Sequence, residues 1–144
     1  MGVDAHLRIA RSAFAEIAAR FPHLHMVEDV DAPVELSITI PVQPGVQHQV
    51  QLGLQNSDEL HFGVSHFWLE WFPCSKQSRV SDYVEAVSGY LSGTYRILEF
   101  HTGARCVKAL LQAPVAGSWR TVGSWHNLWA VLPRKRSVVE LRNA

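Results

Sequence analysis

Three observations predict an α+β chain, an antiparallel β-sheet with two helices packed on one face in the order α-βββ-α-ββββ. Apolar residues recur at three- and four-residue spacing over 4–20 and again over 79–92, the pattern of two amphipathic helices. Apolar and polar residues alternate over 34–42 and 46–54, the pattern of half-buried strands. The 144 residues, 47% of them hydrophobic, are enough for one domain with a real core and too few for two comfortable ones. Residues 1–144 therefore read as a single domain.

In the first helix the stripe is Leu7, Ala10, Phe14, Ile17 and Phe21, with Asp4 as N-cap and Pro22 as the stop. Over 34–42, Val34, Leu36, Ile38, Ile40 and Val42 face one way, and Glu35, Ser37 and Thr39 the other. Gln43-Pro44-Gly45 turns the chain. Over 46–54, Val46, His48, Val50, Leu52 and Leu54 point inward, which makes His48 a buried, neutral, hydrogen-bonded histidine. After the turn at Asn56-Ser57-Asp58, Leu60, Phe62 and Val64 continue the inward face. The second helix carries Val80, Val84, Val87 and Leu91, with Ser78 as N-cap and Gly93 at the left-handed position beyond its end. Residues 95–101 then form a strand, Thr102-Gly103 a two-residue turn and 104–112 the return. Residues 118–125 pair back, and 127–132 and 137–142 make two last strands around Pro133–Arg136. The triplet Gly-Ser-Trp, at Gly117–Trp119 and Gly123–Trp125, repeats after six residues, too soon for a repeat architecture. In element order the chain resembles the small dimeric secretion-chaperone-like folds, and departs from them by ending in strands.

Lys+Arg and Asp+Glu number 13 each, so the formal net charge is zero. Nucleic-acid binding needs a basic excess or stripe. The one basic run, Arg134-Lys135-Arg136, reads as a solvated turn, so nucleic acid and acidic membranes are disfavoured. Charged residues are 18%, below the ~25% of an average domain, and such surfaces favour association. The expected partner is a protein or a second copy of the chain as a homodimer. Eight histidines would move the formal charge toward +8 in mild acid. Cys74 and Cys106 are no disulfide scaffold. The start MGVDAHLRIARSAF lacks the apolar core of a signal peptide, and no run approaches the ~20 apolar residues of a membrane span. A cytoplasmic, bacterial protein is the expectation. GxGxxG, Walker and GxSxG sequences are absent, which disfavours the common nucleotide and acyl chemistries.

The densest stretch is His61–Cys74, HFGVSHFWLEWFPC, with five aromatic residues in fourteen. Its apolar set lies on even positions through Val64 and on odd positions (Phe67, Leu69, Trp71) afterwards. A regular strand cannot change parity. Either a bulge near Ser65-His66 restores it, or the stretch breaks into two strands. With a bulge, Glu59, His61, Gly63, Trp68 and Glu70 face outward, with His66 splayed beside them. His66 and Glu70 would then be ~13 Å apart, too far for an acid–base pair, while Trp68 between them suits a contact surface. A second aromatic group, Trp119, Trp125 and Trp129, either frames a groove with Phe67–Trp71 or fills the core.

Two further histidines, His23-x-His25, have an unspecific spacing, with no HExxH or paired CxxC beside them. No metal and no cofactor are expected. With the turn at Thr102-Gly103, Glu99, His101 and Cys106 share one sheet face, where a histidine-assisted thiolate is conceivable chemistry. Without an adjacent helix N-terminus, Cys106 reads as an ordinary strand cysteine, and no catalytic residue is assigned. The first functional expectation is a non-enzymatic binding protein of the immunity or chaperone type. Its tryptophan-rich sheet face, carrying His61, His66, Trp68, Glu70, Trp119 and Trp125, would contact a protein partner. The alternative is a small enzyme or ligand-binding domain with a pocket lined by tryptophan and histidine.

Overall fold

The strands of the computed structural model, which describes residues 2–143, divide between two antiparallel sheets. The first helix, α1 (Val3–Arg20), is followed by β1 (Val27–Glu28), β2 (Leu36–Ile40), β3 (Val50–Gln55), β4 (Glu59–Val64) and β5 (Phe67–Trp71), paired in sequence order. The second helix, α2 (Gln77–Leu91), leads to β6 (Arg96–Thr102), β7 (Arg105–Val115), β8 (Ser118–His126) and β9 (Ser137–Leu141), arranged β8-β7-β6-β9. The α+β class, the antiparallel pairing and the two helices on the sheet face are as the sequence patterns indicate. None of the helices among the described residues is long and apolar enough to cross a membrane.

One cluster of buried apolar side chains draws on both helices and both sheets. The first sheet contributes Val50, Leu52, Leu54, Leu60, Phe62, Val64, Phe67 and Trp71, and the helices Phe14, Ile17, Tyr83, Val87 and Tyr90. Full burial of one such side chain is worth ~1.5–3 kcal/mol. Edge-on contacts lock the rings: Trp71 to Tyr83 at 5.5 Å and Phe62 to Phe67 at 5.7 Å between centroids. From the second sheet come Ile97, Ala109, Leu111 and Leu141.

Caps and turns differ from expectation for local reasons. Gly2 stands at the N-cap of α1 and Asp4 lies inside its first turn; Lys76, not Ser78, precedes α2. Gly93 is left-handed, with φ 80°. Gln43 and Val46 exchange two backbone hydrogen bonds across a tight turn, so β3 starts only at Val50. His48 consequently lies in the connecting loop, exposed rather than buried. Residues 128–131 wind into a 3-10 turn instead of a strand, because the Asn127 side chain accepts from Trp129 N (3.0 Å) and donates to Cys106 O (3.2 Å).

The parity change in His61–Cys74 is a hairpin, not a bulge. Val64 pairs with Phe67, Phe62 with Leu69 and Leu60 with Trp71. Opposed residues share a face, so even positions before the turn and odd positions after it point the same way. Ser65 and His66 form the two-residue turn, with Ser65 at φ 53°.

The β6–β7 hairpin turns one residue later than expected, at Gly103-Ala104, since Thr102 pairs with Arg105. A bulge then corrects the register: His101 faces Cys106 and Phe100 faces Lys108, leaving Val107 extra. His101, not Glu99, is therefore directly opposite Cys106, and Glu99 faces Ala109.

Candidate metal centre

Alternation along β6 puts Ile97, Glu99 and His101 on the face turned toward the core. Ile97 is fully buried among apolar groups, and Glu99 and His101 extend the row past the end of the core. The turn at Gly103-Ala104 sets Cys106 opposite His101 on that face, and the bulge at Val107 then brings Ala109 opposite Glu99. The β4–β5 turn of the first sheet supplies His66. One ligand atom from each of His66, Glu99, His101 and Cys106 lies within 4.8 Å of the other three.

Glu99 is the hub. Its Oε2 accepts from the His66 backbone N–H (3.1 Å) and contacts His66 Nδ1 (3.2 Å), while Oε1 contacts His101 Nε2 (3.0 Å). The two imidazole rings meet nearly at right angles, 5.8 Å apart. Burial alone would raise the Glu99 carboxyl. Hydrogen bonds from the Ser65 side chain, the His66 backbone and both rings outweigh it and bring the carboxyl down to about 2. Glu99 is thus a buried carboxylate, and its charge adds to burial in pushing the Tyr90 phenol up to about 12. Burial first, then the Glu99 charge, push the Cys106 thiol up. The thiol keeps its proton, directed to Lys108 O at 3.5 Å, and is not an activated nucleophile.

A cation changes that balance, because a coordinated thiol gives up its proton. Ligands 2.0–2.1 Å from a tetrahedral zinc ion stand ~3.3 Å from one another. Glu99 meets His101 through Oε1 and His66 through Oε2, so with one carboxylate oxygen at a corner one of these contacts is already close to that edge length. The remaining edges require contraction, which the 52% exposed His66 side chain has room to make. Two imidazoles, a thiolate and a carboxylate form a borderline-soft donor set that suits zinc-class ions over magnesium or calcium. The exposed side of the centre is the hairpin tip, where Ser65 also lines a shallow concavity of about 580 Å³ floored by Gly63 and walled by Trp68.

The residues expected on one tryptophan-rich face are dispersed, and this overturns the reading of that face as a protein-binding surface. His61, Trp68 and Glu70 do share the outer side of the first sheet. His61 is nevertheless buried: Trp68 stacks on it at 4.4 Å and donates Nε1–H to Glu70 Oε1 (2.8 Å). Gly53 opposite His61 and Gly63 opposite Trp68 leave the space in which these rings lie. Burial lowers His61 to about 4, and its Nδ1 has no partner among the described residues. A bulge at Val122 sends Trp119 and Trp125 to opposite faces of the second sheet. Trp125 packs against the core, and Trp119 lies between the guanidinium groups of Arg96 (4.1 Å) and Arg142 (5.2 Å). Of the six residues, only His66 joins the titratable cluster. Its three companions, Glu99, His101 and Cys106, were placed on one face by the sequence as a thiol–histidine pair. The signal for the fourth was the parity change at Ser65-His66, which marks a tight turn. Comparison with known protein families, curated proteins and solved structures finds no match.

Proposed function

We propose that this chain is a small ligand-binding domain whose ligand is a divalent transition-metal ion of the zinc class, held by His66, Glu99, His101 and Cys106. The observation that carries the reading is the convergence of four ligating atoms of complementary type within 4.8 Å of one another. Glu99 brings the negative charge, His101 a mostly buried imidazole, Cys106 the thiolate that selects a softer ion, and His66 the accessible side. The ion exchanges for the Cys106 thiol proton, since ligands bind deprotonated. Free thiols at Cys74 and Cys106 accord with a reducing cytoplasm, and the core shared by both sheets accords with residues 1–144 acting as one domain.

Calorimetric titration of the chelator-treated protein with zinc chloride tests the reading. One ion is expected per chain. The heat should depend on the buffer's ionisation enthalpy in proportion to the proton released, and that dependence should shrink in Cys106→Ser. Absence of saturable heat, or equal binding in His101→Ala and the wild type, overturns it.

A further inference from the structure

The centre joins the two sheets. Glu99, His101 and Cys106 belong to the β6–β7 hairpin of the second sheet, and His66 to the tip of the β4–β5 hairpin of the first. We infer that the metal ion is an inter-sheet clasp: its occupancy fixes the β4–β5 hairpin against the second sheet and its loss frees the tip. The inference rests on the metal reading above and adds to it what binding does.

Three observations carry it. First, the tip already docks through the metal ligands themselves: two of the contacts to Glu99 come from His66, one from its backbone and one from its ring. The turn is shaped for this, since Ser65 holds φ 53° and its hydroxyl lies 3.3 Å from His66 Nδ1. Second, β5 lies across the strands of the second sheet. His66, just before it, touches Glu99 on β6, whereas Leu69 fills the space left by the missing Cβ of Gly123 on β8. The two strands they reach are two spacings, ~9.6 Å, apart, and Gly123 lies in the row of Ile97, two residues along from that of Glu99, so the crossing is oblique. The apolar anchor is therefore at one end of the crossing and the polar cluster at the other. Third, the turn itself is less covered than Val64 and Phe67, the core residues that flank it. The His66 side chain is half exposed, and Val139, which pairs with Glu99 from the edge strand β9, is 48% exposed. An ion with ligands on both sides supplies there the connection that packing supplies at Leu69.

Hydrogen exchange read by mass spectrometry on the full chain, with and without saturating zinc, tests the clasp, with magnesium as control. The His66 amide bonded to Glu99 makes the hairpin tip a direct reporter. Zinc should slow exchange in the tip at least about 10-fold and magnesium should leave it unchanged. His66→Ala should still bind zinc through the three ligands of the second sheet, at least about 10-fold more weakly, with no slowing at the tip. Zinc binding to the wild type with tip exchange unchanged overturns the clasp and leaves the metal reading standing. Unweakened binding by His66→Ala does the same. No binding to the wild type removes both. Should His66→Ala fail to fold, the zinc–magnesium comparison on the wild type alone decides.

Discussion

Gly53→Ala puts the packing of the first sheet to a quantitative test. Gly53 pairs with His61 across β3 and β4 and with Ser37 across β2 and β3. A Cβ built there stands 2.7 Å from His61 Nε2 and also overlaps His61 Cε1 and the Leu36 carbonyl oxygen. The ring can swing aside, at the loss of its stack on Trp68, worth ~0.5–1.5 kcal/mol. The carbonyl belongs to a β-ladder and can yield only if β2 and β3 shift, an overpacking cost of ~1–3 kcal/mol. The expected destabilisation is therefore ~2–4 kcal/mol by urea unfolding followed by circular dichroism. Truncating His61 to alanine should relieve the ring clash and leave the backbone one, so Gly53→Ala should still cost ~1 kcal/mol or more in that background. Gly63→Ala is the contrast: its Cβ meets the Trp68 ring edge at 2.6 and 3.0 Å, with no backbone atom closer than 3.5 Å. Its cost should vanish in Trp68→Ala. A Gly53→Ala protein within ~0.5 kcal/mol of wild type, or its complete rescue by His61→Ala, refutes the reasoning.

Two further consequences concern titration and thiols. Burial holds folded His61 neutral down to about 4, whereas in the unfolded chain it takes up a proton near 6.5. Between those values the unfolded state binds more protons, so stability falls as pH drops from 6.5 toward 4, by about 3 kcal/mol at most from this group. His61→Leu should flatten that part of the stability–pH curve, and an unchanged slope would show His61 to be accessible to protonation. Cys74 and Cys106 are both buried with raised thiol values. Both should react slowly with a disulfide reagent in the native state. Zinc should slow Cys106 further and leave Cys74 unaffected; equal protection of the two would place the ion elsewhere.

Elements with strong periodicity were legible in the sequence, and features that depend on a single residue's register were not. The stripes of Phe14 and Ile17 and of Val80, Val84 and Val87 locate both helices, because helix burial follows directly from 3.6-residue spacing. The alternation of Val50, Leu52 and Leu54 locates the core face of β3. The division into two sheets left no mark, since alternation says which side is buried and nothing about which strand is the neighbour. The turns at Ser65-His66 and Gly103-Ala104 and the bulge at Val107 decide the candidate site, and the bulge at Val122 decides where the tryptophans go. Each bulge moves a run of side chains to the other face. The turn at Gly103-Ala104 brings Cys106 opposite His101, Val107 brings Ala109 opposite Glu99, and Val122 separates Trp119 from Trp125. The proximity of His66 to Glu99 spans 33 residues and two sheets, so only tertiary packing creates it.

The most direct test of the metal centre is titration of the wild type and Cys106→Ser with cobalt(II), read by absorption. Cobalt in a four-coordinate nitrogen, oxygen and sulfur site absorbs strongly in the visible and adds a thiolate-to-metal band in the near ultraviolet. The wild type should show both, with a break at one ion per chain, and Cys106→Ser should lose the thiolate band. A weak spectrum like that of the aqueous ion, or one unchanged by Cys106→Ser, contradicts a centre built from His66, Glu99, His101 and Cys106.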